Sequence, residues 1–166
     1  RWTINGWQLA AAPTIAEGGA ILSRPGRVRG SWHAATVPGT VLTTLVDRGV
    51  YPHPYYGLNN LAIPESLARQ KYWYRTSFTV PAEAAGRRLT LLFGGINYAS
   101  EIWANGQRLG TTKGAFVRGQ FDFIPVAGEN TLAVQVSPPP HPGIPHEQSI
   151  AGGVGENGGQ LAIDGP

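Results

Sequence analysis

The chain has 166 residues, enough for one domain with a substantial core and too few for two comfortable ones. Only 14% of the residues are charged, whereas glycine (23 residues) and proline (14 residues) are abundant, which favours short elements joined by many turns and argues against a helical bundle. The net charge of +3 comes from scattered cations rather than from a basic stripe, so no nucleic-acid partner is expected.

The residue types that are missing narrow the class of protein further. There is no cysteine, so neither a disulfide framework nor a thiolate metal site is possible. No apolar run approaches the ~20 residues of a membrane span. The chain contains no methionine and begins directly with a strand-like segment. We therefore expect that Arg1 is not the translation start and that a secretion signal has been removed, which predicts a secreted or periplasmic protein.

The N-terminal third is predicted to hold one strand, one extended stretch and one helix. Residues Trp2–Leu9 form the predicted first strand, and "GSWHAATVPG" (residues 30–39) is an extended stretch that ends in a Pro-Gly turn. In residues 40–49, apolar side chains at i, i+1, i+4 and i+5 share one helical face, with Thr40 as the N-cap and Gly49 as the C-terminal stop.

Short strands dominate the rest of the chain. A helical turn in "IPESLAR", with Pro64 at its first position, precedes them. Period-two alternation then predicts strands in "YWYRTSFTV", "RRLTLLFGGI", "GQFDF" and "NTLAVQV", and Asn105-Gly106 predicts a hairpin between two more. Antiparallel strands at this spacing predict an all-β fold, a jelly-roll β-sandwich with one or two short helices.

The last 30 residues differ from the rest in composition. Between Ser137 and Pro166, 13 of 30 residues are glycine or proline. We expect residues 1–137 to form the sandwich core. Residues 138–166 are then expected to be a Pro/Gly-rich loop and the start of a further strand of the same domain, within a larger multidomain chain.

The stretch "GVYPHPYYGLNN" (residues 49–60) is the candidate functional loop. Glycine, proline and asparagine favour turns, and tyrosine combines a flat apolar face with a polar tip. Sugars have apolar ring faces that stack on aromatic side chains and hydroxyls that need amide partners. The candidate substrate-binding residues are therefore Tyr55, Tyr56, Asn59 and Asn60. A loop pinned to the core by its own rings explains the same composition.

The acidic and histidine residues do not form a recognisable catalytic site. Glycoside hydrolysis needs two carboxylates about 5–10 Å apart, whereas the ten acids of this chain are dispersed. Glu101 and Asp122 are predicted to be outward-facing strand residues. His141 and His146, beside Glu147, lie in a Pro/Gly loop without an organised second pair of ligands, so no metal site is expected. No catalytic residue and no cofactor are predicted.

The tryptophans have two possible roles. Trp7, Trp32 and Trp73 are predicted to pack in the core and against the sheet. Trp103 is in phase with Glu101, and alternation alone leaves open which face of its strand points outward.

Three segments in order carry a family resemblance: "YWYRTSFTVP", "RRLTLLFGGINYASEIWANGQRLG" and "GENTLAVQV". Together they resemble the N-terminal sugar-binding-fold domain of family 2 glycoside hydrolases, the group of β-galactosidases, β-mannosidases, β-glucuronidases and exo-β-glucosaminidases. "WHAATVPGTVLTTLVDRGVYPHPYYGLNN" and "ENGGQLAIDGP" resemble the β-mannosidase and exo-β-glucosaminidase branch in particular.

The resemblance implies an accessory jelly-roll domain at the start of a longer enzyme that hydrolyses terminal β-linked sugars. The acid and the nucleophile would lie in a downstream barrel, so this chain alone is expected to be inactive. In several relatives a loop of the first domain helps line the sugar pocket, and by position residues 55–60 are the candidate for that loop. His53 stands where this branch often carries aspartate, so no acidic contact is assigned there. A free-standing carbohydrate-binding module is the alternative.

Overall fold

The computed structural model describes residues 2–140, which form two antiparallel sheets. In this part of the chain, the larger sheet has six strands in the order β2-β1-β3-β8-β5-β6, and the smaller sheet pairs β4 with β7. The strands are β1 (Gln8–Ala11), β2 (His33–Ala34), β3 (Tyr72–Thr79), β4 (Leu89–Phe93), β5 (Ala99–Ala104), β6 (Gln107–Lys113), β7 (Gly119–Phe123) and β8 (Glu129–Ser137). The α-helices are α1 (Gly19–Leu22) and α2 (Val41–Asp47). The predicted all-β sandwich with short helices is confirmed.

Strands β3 and β8 form the centre of the larger sheet. They pair in register from Tyr72 opposite Val136 to Thr79 opposite Glu129. Both faces of the pair are covered, because the small sheet lies on one side and the segment that contains α1 lies on the other. For this reason Tyr72 and Trp73, neighbours in sequence that point to opposite faces, are both buried.

The core on the inner face fills the space between the two sheets. Leu91, Ala104, Phe123 and Leu132 form its buried centre, and Trp7 is half-buried against them. A neighbouring cluster joins Leu9 and Tyr72 to the apolar side of α2. On the outer face, Trp73 is fully buried while Trp32 and Trp103 pack partly buried beside it. The predicted packing roles of Trp7, Trp32 and Trp73 are confirmed.

Arg75 fixes the segment that covers the outer face. Its side chain is buried, and Nε donates to the carbonyl oxygen of Leu22 at 2.8 Å. One terminal nitrogen donates to the carbonyls of Arg24 and Gly26 at 3.0 and 2.8 Å. Burial lowers the pKa of the guanidinium from its ordinary value. The charge of Arg75 is therefore spread over three main-chain oxygens at and beyond the end of α1.

The prediction that Trp2–Leu9 is the first strand is wrong in its bounds. Strand β1 begins only at Gln8, because the residues before it form a local turn. Gly6 has a φ of +73°, and the indole Nε1 of Trp7 donates to the carbonyl of Ile4 at 3.0 Å. This local turn places the Trp7 ring against the inner core rather than beside a neighbouring strand.

Most of the other predicted elements are confirmed. Thr40 caps α2 by accepting a hydrogen bond from the Thr43 amide at 3.0 Å, and Gly49 ends the helical segment with a φ of +70°. Asn105 and Gly106, at φ of 49° and 85°, form the β5–β6 turn. The turn in "IPESLAR" is a 3-10 helix over Glu65–Arg69, so the placement of Pro64 inside it is wrong by one residue.

Several connections meet at one end of the sandwich. Strand β3 begins there at Tyr72, β8 leaves it at Ser137, and β5 begins there at Ala99. The loop between β4 and β5 and the loop between β6 and β7 lie at the same end. The long connection from α2 reaches this end where it enters β3. None of the helices in residues 2–140 has the length and apolar character needed to cross a lipid bilayer.

Candidate functional site

The candidate loop is anchored to the core at its first tyrosine. The Val50 amide donates to the Leu45 carbonyl at 2.8 Å, which continues the end of α2 into the loop. Tyr51 then packs, half-buried, against the cluster that contains Tyr72. The suggestion that the loop is pinned by its own rings is therefore right for Tyr51.

Consecutive tight turns fix the remainder of the loop. The carbonyl oxygen of His53 accepts from the Tyr56 amide at 3.3 Å and from the Asn59 side-chain Nδ2 at 3.0 Å. The main-chain N–H of Asn59 in turn donates to the Tyr56 carbonyl at 3.2 Å, and Gly57 has a φ of +55°. This chain of bonds leads directly into a 3-10 helix over Asn59–Ala62. The loop is ordered by its own main chain and by one amide side chain.

The two tyrosines that were predicted to bind sugar project into solvent. Tyr55 is 92% exposed and Tyr56 is 79% exposed. The Tyr55 ring contacts the His53 ring at a centroid distance of 5.6 Å and a tilt of 56°. Leu58 and Leu61 are also exposed on the same stretch. The loop thus presents a patch of apolar surface that the described chain does not cover.

The two asparagines have different surroundings. Asn59 is half-buried, and its Nδ2 is used within the loop by the bond to His53. Asn60 is exposed, and its side-chain amide makes no hydrogen bond within residues 2–140. Asn60 therefore offers its whole side-chain amide to a ligand, whereas Asn59 has already committed one of its two Nδ2 hydrogens to the loop and offers its Oδ1 and the second hydrogen.

The strand carboxylates are engaged with neighbours on separate sheets. Glu101 on β5 forms an ion pair with Arg108 at 3.3 Å. Asp122 on β7 is exposed and accepts a hydrogen bond from the Thr90 hydroxyl at 2.7 Å. Their prediction as outward-facing strand residues agrees with these contacts, and neither forms part of a carboxylate pair.

Within residues 2–140 there is no group of three or more side chains that could hold a metal ion. His141, His146 and Glu147, for which no metal site is expected, lie outside the described residues, as does the predicted further strand. One exposed aromatic side chain at the same end of the sandwich was missed. Phe116, in the loop between β6 and β7, is 97% exposed. The sequence signal for it is the pair of glycines that flank it in "GAFVRG", because glycines on both sides of an aromatic residue indicate a loop.

A comparison with protein families decides the class of this domain. The family model described as a glycosyl hydrolase 2 galactose-binding domain-like domain matches residues 7–161. The chain belongs to this family. The resemblance drawn from the sequence and the galactose-binding-domain-like jelly roll are thereby confirmed.

The relatives of this glycosyl hydrolase 2 domain are much longer proteins. The chain is 34% identical over 168 residues to the mannosylglycoprotein endo-β-mannosidase of Lilium longiflorum, covering 95% of this chain and 18% of that protein. It is 29% identical over 140 residues to the exo-β-D-glucosaminidase of Streptomyces avermitilis, covering 81% of this chain and 15% of that protein. The chain thus spans less than a fifth of the length of either, and corresponds to their N-terminal accessory domain.

Solved structures show the same fold. The exo-chitosanase of Amycolatopsis orientalis is 26% identical with a TM-score of 0.75, over 84% of this chain and 17% of that one. The β-D-mannosidase of Dictyoglomus thermophilum is 29% identical with a TM-score of 0.66, over 82% of this chain and 15% of that one. The branch suggested by the sequence is therefore the right one. The roles of Tyr55, Tyr56, Asn59 and Asn60 stay predictions.

Proposed function

We propose that this glycosyl hydrolase 2 domain serves as the accessory part of a longer enzyme that hydrolyses O-glycosidic bonds of terminal β-linked sugars. Residues 55–60 would supply one wall of its sugar pocket. The observation that carries the proposal is the construction of this loop. Its main chain is held by hydrogen bonds at His53, while the rings of Tyr55 and Tyr56 stay exposed. A fixed loop loses little conformational entropy on binding.

The chemistry of the loop fits a pyranose. The flat face of Tyr55 or Tyr56 can stack on the apolar face of a sugar ring, and the phenol hydroxyl can reach its rim. The free amide of Asn60 can donate to one sugar hydroxyl and accept from another. Asn59 would act mainly as a positioning residue through its bond to the His53 carbonyl, with its own Oδ1 as a further acceptor.

The proposed sugar is β-linked mannose or glucosamine. This proposal is supported by the names of the relatives, an endo-β-mannosidase and an exo-β-glucosaminidase. Because the two strand carboxylates, Glu101 and Asp122, are each engaged with a neighbour on a separate sheet and form no pair, the reacting acid and nucleophile are assigned to the catalytic part of the longer enzyme. Export from the cytoplasm stays a prediction.

The test uses the full-length enzyme with Asn60→Ala, Asn59→Ala and Tyr55→Ala variants. Loss of one or two hydrogen bonds to the sugar should cost about 1–2 kcal/mol, which corresponds to roughly 5- to 30-fold in kcat/KM for an aryl β-mannoside or β-glucosaminide. Gln107→Ala is the matched control, since it removes an exposed amide at the opposite end of the sandwich. If all three loop variants have the kcat/KM of the wild type, residues 55–60 do not line the sugar pocket.

The alternative of a free-standing carbohydrate-binding module has one observation in its favour, the exposed rings of Tyr55 and Tyr56. The two functions differ in the behaviour of the isolated 166-residue chain. A binding module should bind mannose, glucosamine or an oligosaccharide of either, with a change in aromatic fluorescence. The accessory domain should bind none of them measurably and should not turn over an aryl glycoside.

A further inference from the structure

Two Asn-Gly dipeptides lie within residues 2–140, and their surroundings differ. Asn5-Gly6 lies in the turn before β1, and Asn105-Gly106 forms the β5–β6 turn. In such a dipeptide the main-chain nitrogen of the glycine can attack the side-chain carbonyl carbon of the asparagine, because the glycine has no Cβ to shield that nitrogen. The attack closes a five-membered ring within one chain and needs no second molecule to be brought in. The two dipeptides share this reactivity, so the fold decides which of them reacts.

Both reacting groups of Asn105-Gly106 are held by hydrogen bonds. The main-chain N–H of Gly106, which carries the attacking nitrogen, donates to the Ser23 hydroxyl at 3.0 Å. The Nδ2 of Asn105 donates to the Oδ1 of Asn130 at 2.8 Å, and its Oδ1 accepts from the main-chain N–H of Thr131 at 3.0 Å. Asn130 and Thr131 are themselves fully buried. Turning the Asn105 side chain toward the Gly106 nitrogen would break these bonds and leave buried groups without partners, so the fold protects this dipeptide.

The reacting groups of Asn5-Gly6 are free. Both residues are exposed, and within residues 2–140 neither the Asn5 side-chain amide nor the Gly6 main-chain N–H makes a hydrogen bond. The Thr76 hydroxyl donates to the main-chain carbonyl of Asn5 at 2.7 Å, which leaves both reacting groups unoccupied. A Cβ built on Gly6 would approach only the Thr76 Oγ1, at 3.9 Å. Ring closure at Asn5 therefore meets neither a competing hydrogen bond nor crowding from the described sandwich.

We propose that Asn5 is a site of spontaneous deamidation in the folded domain. The Gly6 nitrogen gives its proton to hydroxide and forms a bond to the Cγ of Asn5. The Cγ–Nδ2 bond then breaks, and the side-chain nitrogen takes a proton from water and leaves as ammonia. Water adds to either carbonyl of the resulting succinimide and opens it to aspartate or to isoaspartate. The net reaction consumes one water and releases one ammonia, and it does not depend on the proposed function.

The products differ from the parent chain in two measurable ways. Each carries a carboxyl group where the parent has an amide, and its new oxygen atom comes from the solvent. In the isoaspartyl product the main chain runs through the Cβ and Cγ of residue 5, and the carbonyl that Thr76 holds becomes part of a free carboxylate. An isoaspartyl methyltransferase esterifies such a carboxylate, so methylation by this reagent identifies the isoaspartyl product.

Isotope labelling of the 166-residue chain measures each site separately. The folded protein is incubated in mildly alkaline ¹⁸O-water, and it is then digested with trypsin in ordinary water. Asn5 falls in peptide 2–27 and Asn105 in peptide 89–108, and tandem mass spectrometry locates the label within each peptide. We expect Asn5 to take up label roughly ten-fold faster than Asn105 or more, since Asn105 must first break hydrogen bonds to buried partners. Part of the product at residue 5 should be methylated by the isoaspartyl methyltransferase.

The same chain unfolded in guanidinium chloride is the control for the effect of the fold, because unfolding removes the bonds that protect Asn105. The two rates should then become equal. Asn5→Gln keeps the amide but lengthens the side chain, so that attack would close a six-membered ring, and it should lose the label at residue 5. Equal rates at Asn5 and Asn105 in the folded chain would overturn the proposal. Label that enters residue 5 only in guanidinium chloride, or that persists undiminished there in Asn5→Gln, would overturn it as well.

Discussion

The Nε atom of Arg75 on β3 donates a 2.8 Å hydrogen bond to the carbonyl oxygen of Leu22, the last residue of α1. The two residues are 53 positions apart in the chain. A guanidinium is the one side chain that can serve several acceptors in different directions from a fixed plane. Here it satisfies carbonyls that the short helix and the turn after it leave without partners.

Replacing Arg75 should destabilise the domain without changing its surface. Arg75→Met would leave the Leu22, Arg24 and Gly26 carbonyls without their donor, at an expected cost of roughly 3 kcal/mol in the free energy of unfolding. Urea unfolding followed by tryptophan fluorescence measures this. Arg88→Met, at an exposed position, is the control and should shift the free energy by less than about 0.5 kcal/mol.

Arg75→Lys separates geometry from charge. A lysine keeps the positive charge but cannot span three acceptors, so it should recover only a minor part of the loss. A lysine variant as stable as wild type would show that charge alone, rather than the guanidinium geometry, holds the covering segment.

Gly19 is predicted to be intolerant of any side chain. A Cβ built on Gly19 would lie 2.4–2.5 Å from three atoms of the Trp103 indole, well inside contact distance. Because Trp103 is itself packed in the outer core, Gly19→Ala should cost about 1–3 kcal/mol in the free energy of unfolding. Gly18→Ala is the matched control. Its Cβ would meet nothing within 4 Å at a φ of −85°, and because Gly18 is the N-cap of α1, where alanine is less favourable than glycine, the expected cost is below about 1 kcal/mol.

Local chemistry explains which parts of this fold could be predicted from the sequence. The Asn105-Gly106 turn and the Thr40 cap depend on a few adjacent residues, whose φ preferences and side-chain oxygens are readable directly. Helix α1 was missed because its four residues carry no periodic pattern and are held by Arg75 and Trp103, which come from distant strands.

The candidate loop was predictable only in part. Its composition indicated turns and an aromatic surface, and the structure has both. Composition could not separate Tyr51, which packs on the core, from Tyr55, which is exposed. Nor could composition show that the side chain of Asn59 donates a hydrogen bond within the loop while that of Asn60 does not, since this depends on where the His53 carbonyl points.

Asn130 should be among the least replaceable polar residues of the described chain. It is fully buried. Its Oδ1 accepts from the main-chain N–H of Val126 and from the side-chain Nδ2 of Asn105. Its Nδ2 donates to the main-chain carbonyls of Val126 and Gly128. Asn130→Asp would replace a double donor by an acceptor that faces two carbonyls. We expect a loss of roughly 3 kcal/mol or failure to fold, measured by thermal and urea unfolding. Gln120→Glu, the same amide-to-acid change at an exposed site, should be tolerated.

Tyr74 should make the domain sensitive to strong alkali. Burial, with a smaller contribution from Tyr72, raises the pKa of Tyr74 from 10.0 to about 12. The folded protein therefore holds this proton more tightly than the unfolded chain does. The associated stability is fully present below about pH 10 and is lost as the pH rises toward 12. At about 1.4 kcal/mol for each pKa unit, a shift of about two units corresponds to a full loss of roughly 3 kcal/mol.

The measurement is the urea midpoint between pH 8 and pH 12 for wild type and Tyr74→Phe. The phenylalanine variant should match wild type near neutral pH, where the phenol is uncharged, and should lose less stability above pH 10. Tyr55→Phe, at an exposed ring, is the control and should follow the wild-type profile. Because burial also raises the pKa of Tyr72, part of the alkaline slope should survive in Tyr74→Phe. Identical slopes in all three proteins would mean that Tyr74 ionises as readily in the folded domain as in the unfolded chain.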